Sequence, residues 1–263
     1  MKPLAWKTVA VAALLAAGAA HAGRSCETRP LSLHTLQQGL DLAARTAQRL
    51  EASGAQVAVI ARNGQDLSRY RLRYSHLGLA YRDEQAGRPV WRVVHKLNHC
   101  GSARASIFRQ GLGEFFLDDL HAFEAGVVLL SPEVQQALLP VLRDRQRAVR
   151  LHTESYNMVA YPWSVRYQQS NQWAIETIAS AMEPDVRTRE QAQAWLKLKD
   201  YQPTTLRIGA LTRLGGRMTA ANIAFDDHPN EKRFSDRIET VTVDSVFQWL
   251  GRSGLGQREE VWR

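Results

Sequence analysis

Three apolar runs of strand length follow one another in the first half of the chain, and they constrain its fold more than any other feature. They cover Val57 to Ala61, Ser75 to Tyr81 and Val90 to Leu97, with a turn around Gly87 between the last two. Short apolar runs bounded by turn residues are typical of strands, and two runs joined by a short turn pair in antiparallel fashion. A fourth strand is predicted from Phe123 to Leu130. The sequence therefore predicts a mostly antiparallel sheet.

Segments with helical periodicity surround these strands. The first predicted helix runs from about Thr35 to Ala52, with apolar positions at Leu36, Leu40, Ala43, Ala47 and Leu50. Further helices are predicted after Pro132, from near Ser170, from Glu190 to Lys199 and from Asp244 to Leu250. Strands flanked by helices make an α+β fold. No repeat or low-complexity linker divides the chain, so residues 23–263 are predicted to form a single domain.

The N-terminus has the order of features typical of a secretory signal peptide. Lys2 and Lys7 precede an apolar run that ends in the small-residue pattern Ala20-His21-Ala22. This pattern predicts cleavage after Ala22 and a mature protein in the periplasm or outside the cell. The apolar run is shorter than the roughly 20 residues that a membrane-spanning helix needs, so no membrane-spanning segment is expected.

The formal net charge of +8 is spread along the chain without a lysine block. No nucleic-acid-binding module is recognisable, so nucleic acid is not expected as a partner. The positive charge suits contact with a cell-wall polymer or another envelope component. No motif for a nucleotide, an organic cofactor or a metal stands out. Two acidic clusters, Asp118-Asp119 and Asp226-Asp227-His228, are interpreted as solvated turns, with a divalent-ion site as the alternative.

The chain has two cysteines, Cys26 and Cys100, and both follow the predicted signal peptide. A lone cysteine pair in an exported protein predicts a disulfide between them. The alternative is that Cys100, which follows His99, is a free nucleophilic thiol.

Two histidines occur in neighbouring strand-like runs, His76 in the second and His95 in the third. Antiparallel pairing can bring their rings onto one face, where one imidazole could act as a general base and the other could orient it. A hydrogen-bonded structural pair is the alternative. Metal binding by both histidines together with His99 is a further alternative.

A second polar cluster precedes the helix that is predicted to begin near Ser170. The free amides of a helix N-terminus could activate a nucleophile there or hold an oxyanion. Ser170 is the candidate nucleophile, although serine is also a preferred helix cap. Tyr74, Asn171 and Gln172 are the candidate substrate-binding residues around it.

Four segments resemble a family of exported bacterial proteins, domain-of-unknown-function family 2145, for which the resemblance implies no activity. They are Tyr74 to Gly78, Val94 to Gly101, Gln110 to Phe116 and Gln169 to Trp173. More distantly, the Ser-His-x-Gly strand, a polar residue one strand later and a downstream helix N-terminus resemble the circularly permuted papain-like superfamily. That resemblance implies His76 as base, His95 as its partner and a nucleophilic cysteine at the later helix. This chain departs from the pattern, because it has Ser170 or Asn171 at that place.

The departure leaves three hypotheses. In the first hypothesis, serine replaces cysteine as the nucleophile, and the protein hydrolyses an amide or ester in a cell-envelope substrate. In the second hypothesis, Cys100 enters the site as the nucleophile. In the third hypothesis, catalysis has been lost and the same fold binds a ligand or partner without reacting. The first hypothesis requires Ser170 to lie within hydrogen-bonding distance of His76.

Overall fold

The computed structural model of the protein describes residues 30–118 and 120–263. The predicted signal peptide, residues 1–22, and Cys26 lie outside these residues. The helices of the described part are α1 Leu33–Ala52, α2 Leu112–Phe116, α3 Pro132–Arg143, α4 Arg145–Ala148, α5 Ser170–Met182, α6 Arg189–Leu198, α7 Ala210–Thr219, α8 Asn230–Phe234 and α9 Val243–Arg252. The strands are β1 Val57–Asn63, β2 His76–Gln85, β3 Arg88–Asn98, β4 Ala105–Gly111, β5 Ala122–Leu129, β6 Thr204–Arg207, β7 Arg237–Thr240 and β8 Glu260–Trp262.

Six strands form the main sheet in the order β4-β3-β2-β1-β5-β8, and each neighbouring pair is antiparallel. The predicted α+β fold with a mostly antiparallel sheet is therefore confirmed. The predicted turn between β2 and β3 is formed by Ala86 and Gly87, with φ of 50° and 72°. Positive φ at both central residues is typical of a tight two-residue hairpin turn.

Helices cover both faces of the main sheet. Because successive strand residues point to opposite faces, each buried strand contributes to two cores. On one face, Leu77, Leu79 and Val94 pack with residues of α3, α5 and α9. On the other face, Ala80 and Val93 pack with residues of α1 and α2. We refer to these as the α5 face and the α2 face.

A smaller lobe follows α6 and consists of the β6–β7 sheet, α7, α8 and the loop between α7 and α8. Its own core comprises Leu206, Ile208, Phe225 and Ile238. Backbone hydrogen bonds attach this lobe to the segment before α5: Met158 N donates to Asn222 O at 2.8 Å. The Asn157 amide adds a bond from its Nδ2 to Ala224 O at 2.9 Å.

A buried charged network fixes the segment before α5 to the α5 face. Lys96 on β3 is fully buried, and its ammonium donates to Thr153 O, Gln168 O and Gln168 Oε1 at 2.7, 2.8 and 2.9 Å. Burial lowers the pKa of Lys96 to about 6. Next to it, Glu176 on α5 forms an ion pair with Arg189 at 2.8 Å. Buried charges are retained only where such partners compensate for lost hydration.

The structure contains elements that the sequence patterns did not predict. They include the edge strand β4, the short strands β6, β7 and β8, and the helices α2, α7 and α8. The first helix begins at Leu33, two residues earlier than predicted, because Ser32 caps it by accepting a bond from Thr35 N at 3.0 Å. Among the described helices, none has the length and apolar composition to cross a membrane.

Candidate functional site

Two histidines from neighbouring strands meet at one end of the main sheet. His76 is the first residue of β2, and His95 lies near the end of β3. The distance from His76 Nε2 to His95 Nδ1 is 2.9 Å, and His95 Nε2 lies 2.7 Å from Oε1 of Gln110 on β4. The structure thus brings the two predicted histidines together. It also places Gln110 beside them. Gln110 lies in one of the four segments that resemble the family, but the sequence did not suggest a role for it.

Both imidazole rings lie on the α2 face. The Phe115 ring of α2 lies 5.4 Å from the His95 ring and 6.0 Å from the His76 ring, measured between centroids. Gly78 leaves the space that this packing needs, because a Cβ there would lie 3.3 Å from both His95 Cβ and the Phe115 ring. The histidine pair is therefore part of the packing between the sheet and α2.

The electrostatic surroundings keep both histidines neutral near pH 7. Burial, assisted by the Arg62 cation, lowers the pKa of His95 to about 4 and holds the pKa of His76 well below its ordinary value. Arg62 donates to Phe115 O at 2.6 Å and forms an ion pair with Asp118. With the Gln110 oxygen as acceptor, His95 holds its proton on Nε2 and accepts one bond from His76.

Ser170 does not lie with the histidines. It is the first residue of α5, whose Trp173 and Ile175 pack on the α5 face, on the other side of the sheet from the His76 ring. The Ser170 side chain instead interacts with the buried Tyr156 hydroxyl, which opposes the rise in the pKa of Tyr156 that burial causes. The expected Ser170–His76 hydrogen bond is absent from the described residues. Strand alternation is the physical reason, since it points His76 away from the helix that carries Ser170.

Among the described residues, the histidines have no other nucleophile as a hydrogen-bond partner. Within residues 30–118 and 120–263, no serine, threonine or cysteine side chain donates a hydrogen bond to either ring. Cys100 is disulfide-bonded and so is not a free thiol. Its predicted partner, Cys26, lies outside the described residues, and their pairing stays a prediction.

The N-terminus of α5 is capped by Gln169, where the sequence had suggested Ser170. The Gln169 side chain accepts a bond from Asn171 N at 2.8 Å. Asn171 then joins two parts of the fold, because its Oδ1 accepts from Leu77 N at 3.3 Å and its Nδ2 donates to Val241 O at 3.0 Å. Gln169 donates to the same Val241 carbonyl at 2.7 Å. These amides tie α5 to β2 and to the smaller lobe.

The other candidate binding residues, Gln172 and Tyr74, are buried apart from the histidines. Gln172 donates to Pro162 O at 3.2 Å, and its Oε1 has no hydrogen-bond partner in the described part of the chain. Tyr74 packs against Phe247 with ring centroids 5.8 Å apart, and burial raises the pKa of its hydroxyl. Of the two, Tyr74 lines the groove described next, and so does Asn171.

A groove of about 640 Å³ lies between the main sheet and the smaller lobe. We call it the lobe groove, and its apolar wall is formed by Leu67, Tyr70, Leu72, Met158, Val159, Leu206, Ile208, Leu211, Ile223, Phe225, Val241 and Val243. Several polar groups of its wall have internal partners. The Ser75 hydroxyl accepts from Gly64 N at 2.9 Å, and Thr242 bonds Thr204 at 2.6 Å. Since Gln169 and Asn171 are also bonded within the protein, the wall presents mainly apolar surface to a ligand.

A family model described as "Uncharacterized protein conserved in bacteria (DUF2145)" matches residues 49–250. The chain belongs to this family. Neither the curated proteins nor the solved structures gave a match. The part matched to DUF2145 runs from the end of α1 into α9, and it includes the histidine pair and every residue that lines the lobe groove.

The remaining predicted clusters of this DUF2145 protein have structural partners. Asp227 and His228 bond each other at 3.0 Å, and His228 also contacts Glu239 O at 2.9 Å. His99 bonds Ser106 at 2.9 Å and does not join the histidine pair. Throughout the described ranges, no group of three His, Cys, Asp or Glu residues could hold a metal ion. Asp119 is not among the described residues.

Proposed function

We propose that this DUF2145 protein is a noncatalytic binding protein of the bacterial cell envelope that holds the apolar chain of its ligand in the lobe groove. The chemistry of the groove carries this proposal. Most of its wall is apolar, so transfer of an apolar chain from water into the groove is the main favourable term that the wall offers. The volume of about 640 Å³ lies in the range of pockets for a single small ligand.

Hydrolysis of an envelope amide or ester has less support. A serine hydrolase needs a base within hydrogen-bonding distance of its nucleophile. Ser170 and His76 lie on opposite sides of the main sheet, and the histidine pair is packed under Phe115. We therefore propose that this protein resembles the permuted papain-like superfamily only in the order of its strands and helices. The residues at the catalytic positions would have a structural role.

The cellular location and domain organisation remain part of the proposal. The basic residues, apolar run and Ala20-His21-Ala22 pattern at the N-terminus support export and cleavage. The mature protein would then be a single α+β domain of residues 23–263 that acts in the periplasm or outside the cell. An envelope location would give it access to lipids and to cell-wall components.

The proposal is tested by filling the groove from α7. Gly215 lines the groove, and a Cβ at this position meets nothing within 4 Å, so Gly215→Trp adds a large side chain without a clash at the backbone. We expect the variant to lose at least tenfold in affinity for a fluorescent long-chain fatty acid, measured by titration of the full-length protein. Removal of a helix-interior glycine leaves the fold at least as stable.

Gly251→Trp is the matched control. Gly251 also lies within a helix and has open space around its Cβ, but it does not line the groove. This variant should bind the probe as the parent protein does. Equal affinities of all three proteins would contradict the proposal, as would a complete lack of probe binding by the parent.

A further inference from the structure

A second pocket adjoins the lobe groove. This pocket, which we call the head pocket, has a volume of about 380 Å³. It shares Gln65, Leu67 and Leu72 with the groove, so the two spaces are adjacent. Its other lining residues are mainly polar or charged: Asn63, Asp66, Ser68, Arg71, Arg73, His121 and Asp244.

Two hydrogen-bond acceptors in the head pocket have no partner. Asn63 Oδ1 and Asp244 Oδ2 are buried and accept no hydrogen bond within the described chain. The other Asp244 oxygen accepts from Arg73 N at 3.2 Å, which fixes the orientation of the carboxylate. A buried acceptor without a donor costs free energy, and a ligand donor would remove this cost. Burial also raises the pKa of Asp244, while the backbone amides of Arg73, Asp244 and Tyr74 and the Arg73 cation oppose this rise.

Arg71 also lines the head pocket, and its guanidinium has no carboxylate partner among the described residues. Arg73 is committed to Glu124 through two bonds of 2.7 Å. Arg71, in contrast, forms no ion pair within residues 30–118 and 120–263. Its backbone is in the left-handed region, with φ of 58°, where it ends the short turn of helix at Ser68–Tyr70. A non-glycine residue in this conformation is uncommon, and such strain concentrates at binding sites.

From this juxtaposition we infer that the ligand is a single-chain amphiphile whose head carries both an anionic group and an ammonium group. The acyl chain lies in the lobe groove, the anion contacts Arg71, and the ammonium donates to Asp244 and Asn63. This inference rests on the proposed function and adds the chemistry of the head group. Single-chain zwitterionic phospholipids have this chemistry, and a diacyl lipid at a membrane surface is the second source of the same head group.

The test compares four probes that share one acyl chain, each used below its micelle concentration. They are lysophosphatidylethanolamine, lysophosphatidylglycerol, lysophosphatidylcholine and the free fatty acid. We expect the full-length protein to bind the ethanolamine lipid at least tenfold more tightly than the glycerol lipid, which has no ammonium. The choline lipid should bind as weakly as the glycerol lipid, because its quaternary nitrogen has no N–H to donate. Vesicles of diacyl phosphatidylethanolamine, tested by co-sedimentation, distinguish a membrane source from a free lipid.

Two variants separate the contributions of Asp244 and Arg71 to lipid affinity. Asp244→Asn keeps an oxygen that can accept the hydrogen bond from Arg73 N, so the fold is retained. This variant should lose the preference for the ethanolamine lipid, while its affinity for the fatty acid stays unchanged. Arg71→Gly suits the left-handed backbone and should weaken all three phospholipids at least fivefold without lowering the unfolding temperature. Asp41→Asn, on the exposed surface of α1, is the control and should change nothing.

The outcomes distinguish this inference from the proposed function. If all four probes bind with equal affinity, the lobe groove remains a chain-binding site and the head-group assignment is wrong. The assignment is also wrong if Asp244→Asn weakens every probe equally. If no probe binds, the proposed function itself is wrong.

Discussion

Protonation of His95 should make the folded protein sensitive to mild acid. Its pKa is about 4 in the folded protein and 6.5 for an ordinary histidine. The unfolded chain therefore takes up the proton at a higher pH than the folded protein does, and acid favours unfolding. The stabilising contribution is fully present above pH 6.5 and is lost as the pH falls towards 4. From these two pKa values, proton linkage predicts that the free energy of unfolding falls by about 2 kcal/mol at pH 5 and by about 3 kcal/mol at pH 4.

The measurement is the free energy of unfolding in urea at several pH values between 7.5 and 4, for the parent protein and for His95→Gln. Carboxylate titration contributes to both proteins and cancels in the difference. At pH 7.5 the parent should be more stable, because the variant loses the packing on Phe115. That advantage should shrink by about 2 kcal/mol by pH 5, since glutamine takes up no proton.

His34→Gln is the control for this experiment, because His34 is exposed on α1. This variant should unfold with the same free energy as the parent protein at pH 7.5. A constant difference for His95→Gln would refute the reasoning, since it would mean that His95 is protonated as readily in the folded protein as in the unfolded chain.

Three further predictions concern packing, buried charge and processing. Gly78→Ala should lower the free energy of unfolding by about 1–3 kcal/mol, because the added Cβ would lie 2.4 Å from Val93 Cγ1; an unchanged urea midpoint would contradict this close packing. Glu176→Gln should cost about 3 kcal/mol in the same measurement, because it leaves the buried Arg189 guanidinium without its counter-charge. Mass spectrometry of protein exported from a bacterial host should give the mass of a chain cleaved after Ala22, and an intact N-terminus would contradict the signal-peptide prediction.

The main sheet could be predicted from the sequence because its central strands are strongly apolar. The buried parts of β1, β2, β3 and β5 face both cores, so they appear in the sequence as mainly apolar runs. The edge strand β4 was missed, since only part of it is buried and its sequence mixes apolar with polar residues. The strands of the smaller lobe are four residues each, too short for a periodic signal.

The predicted grouping of His76, His95 and Ser170 was correct only for the two histidines. The spacing of residues within a strand does not show on which face of the main sheet a distant helix packs. His76 and His95 were correctly expected to meet, since a tight turn joins their strands. Ser170 lies 94 positions after His76, and no local pattern decides whether its helix packs on the α2 face or the α5 face. A shift of one residue in strand register would have reversed the outcome.

The lobe groove was harder to predict than the histidine pair, because it is built from distant parts of the chain. Its walls come from three separate segments, 65–75, 158–171 and 206–243, and none of them has a binding motif of its own. The amides of Gln169 and Asn171, which in the sequence suggested contact with a substrate, instead bond the Val241 carbonyl and so hold two of these segments together. The polar residues that the sequence singled out thus hold the groove together, while the apolar residues around them form most of its wall. If the proposed function is correct, a search for the ligand should begin with apolar chains.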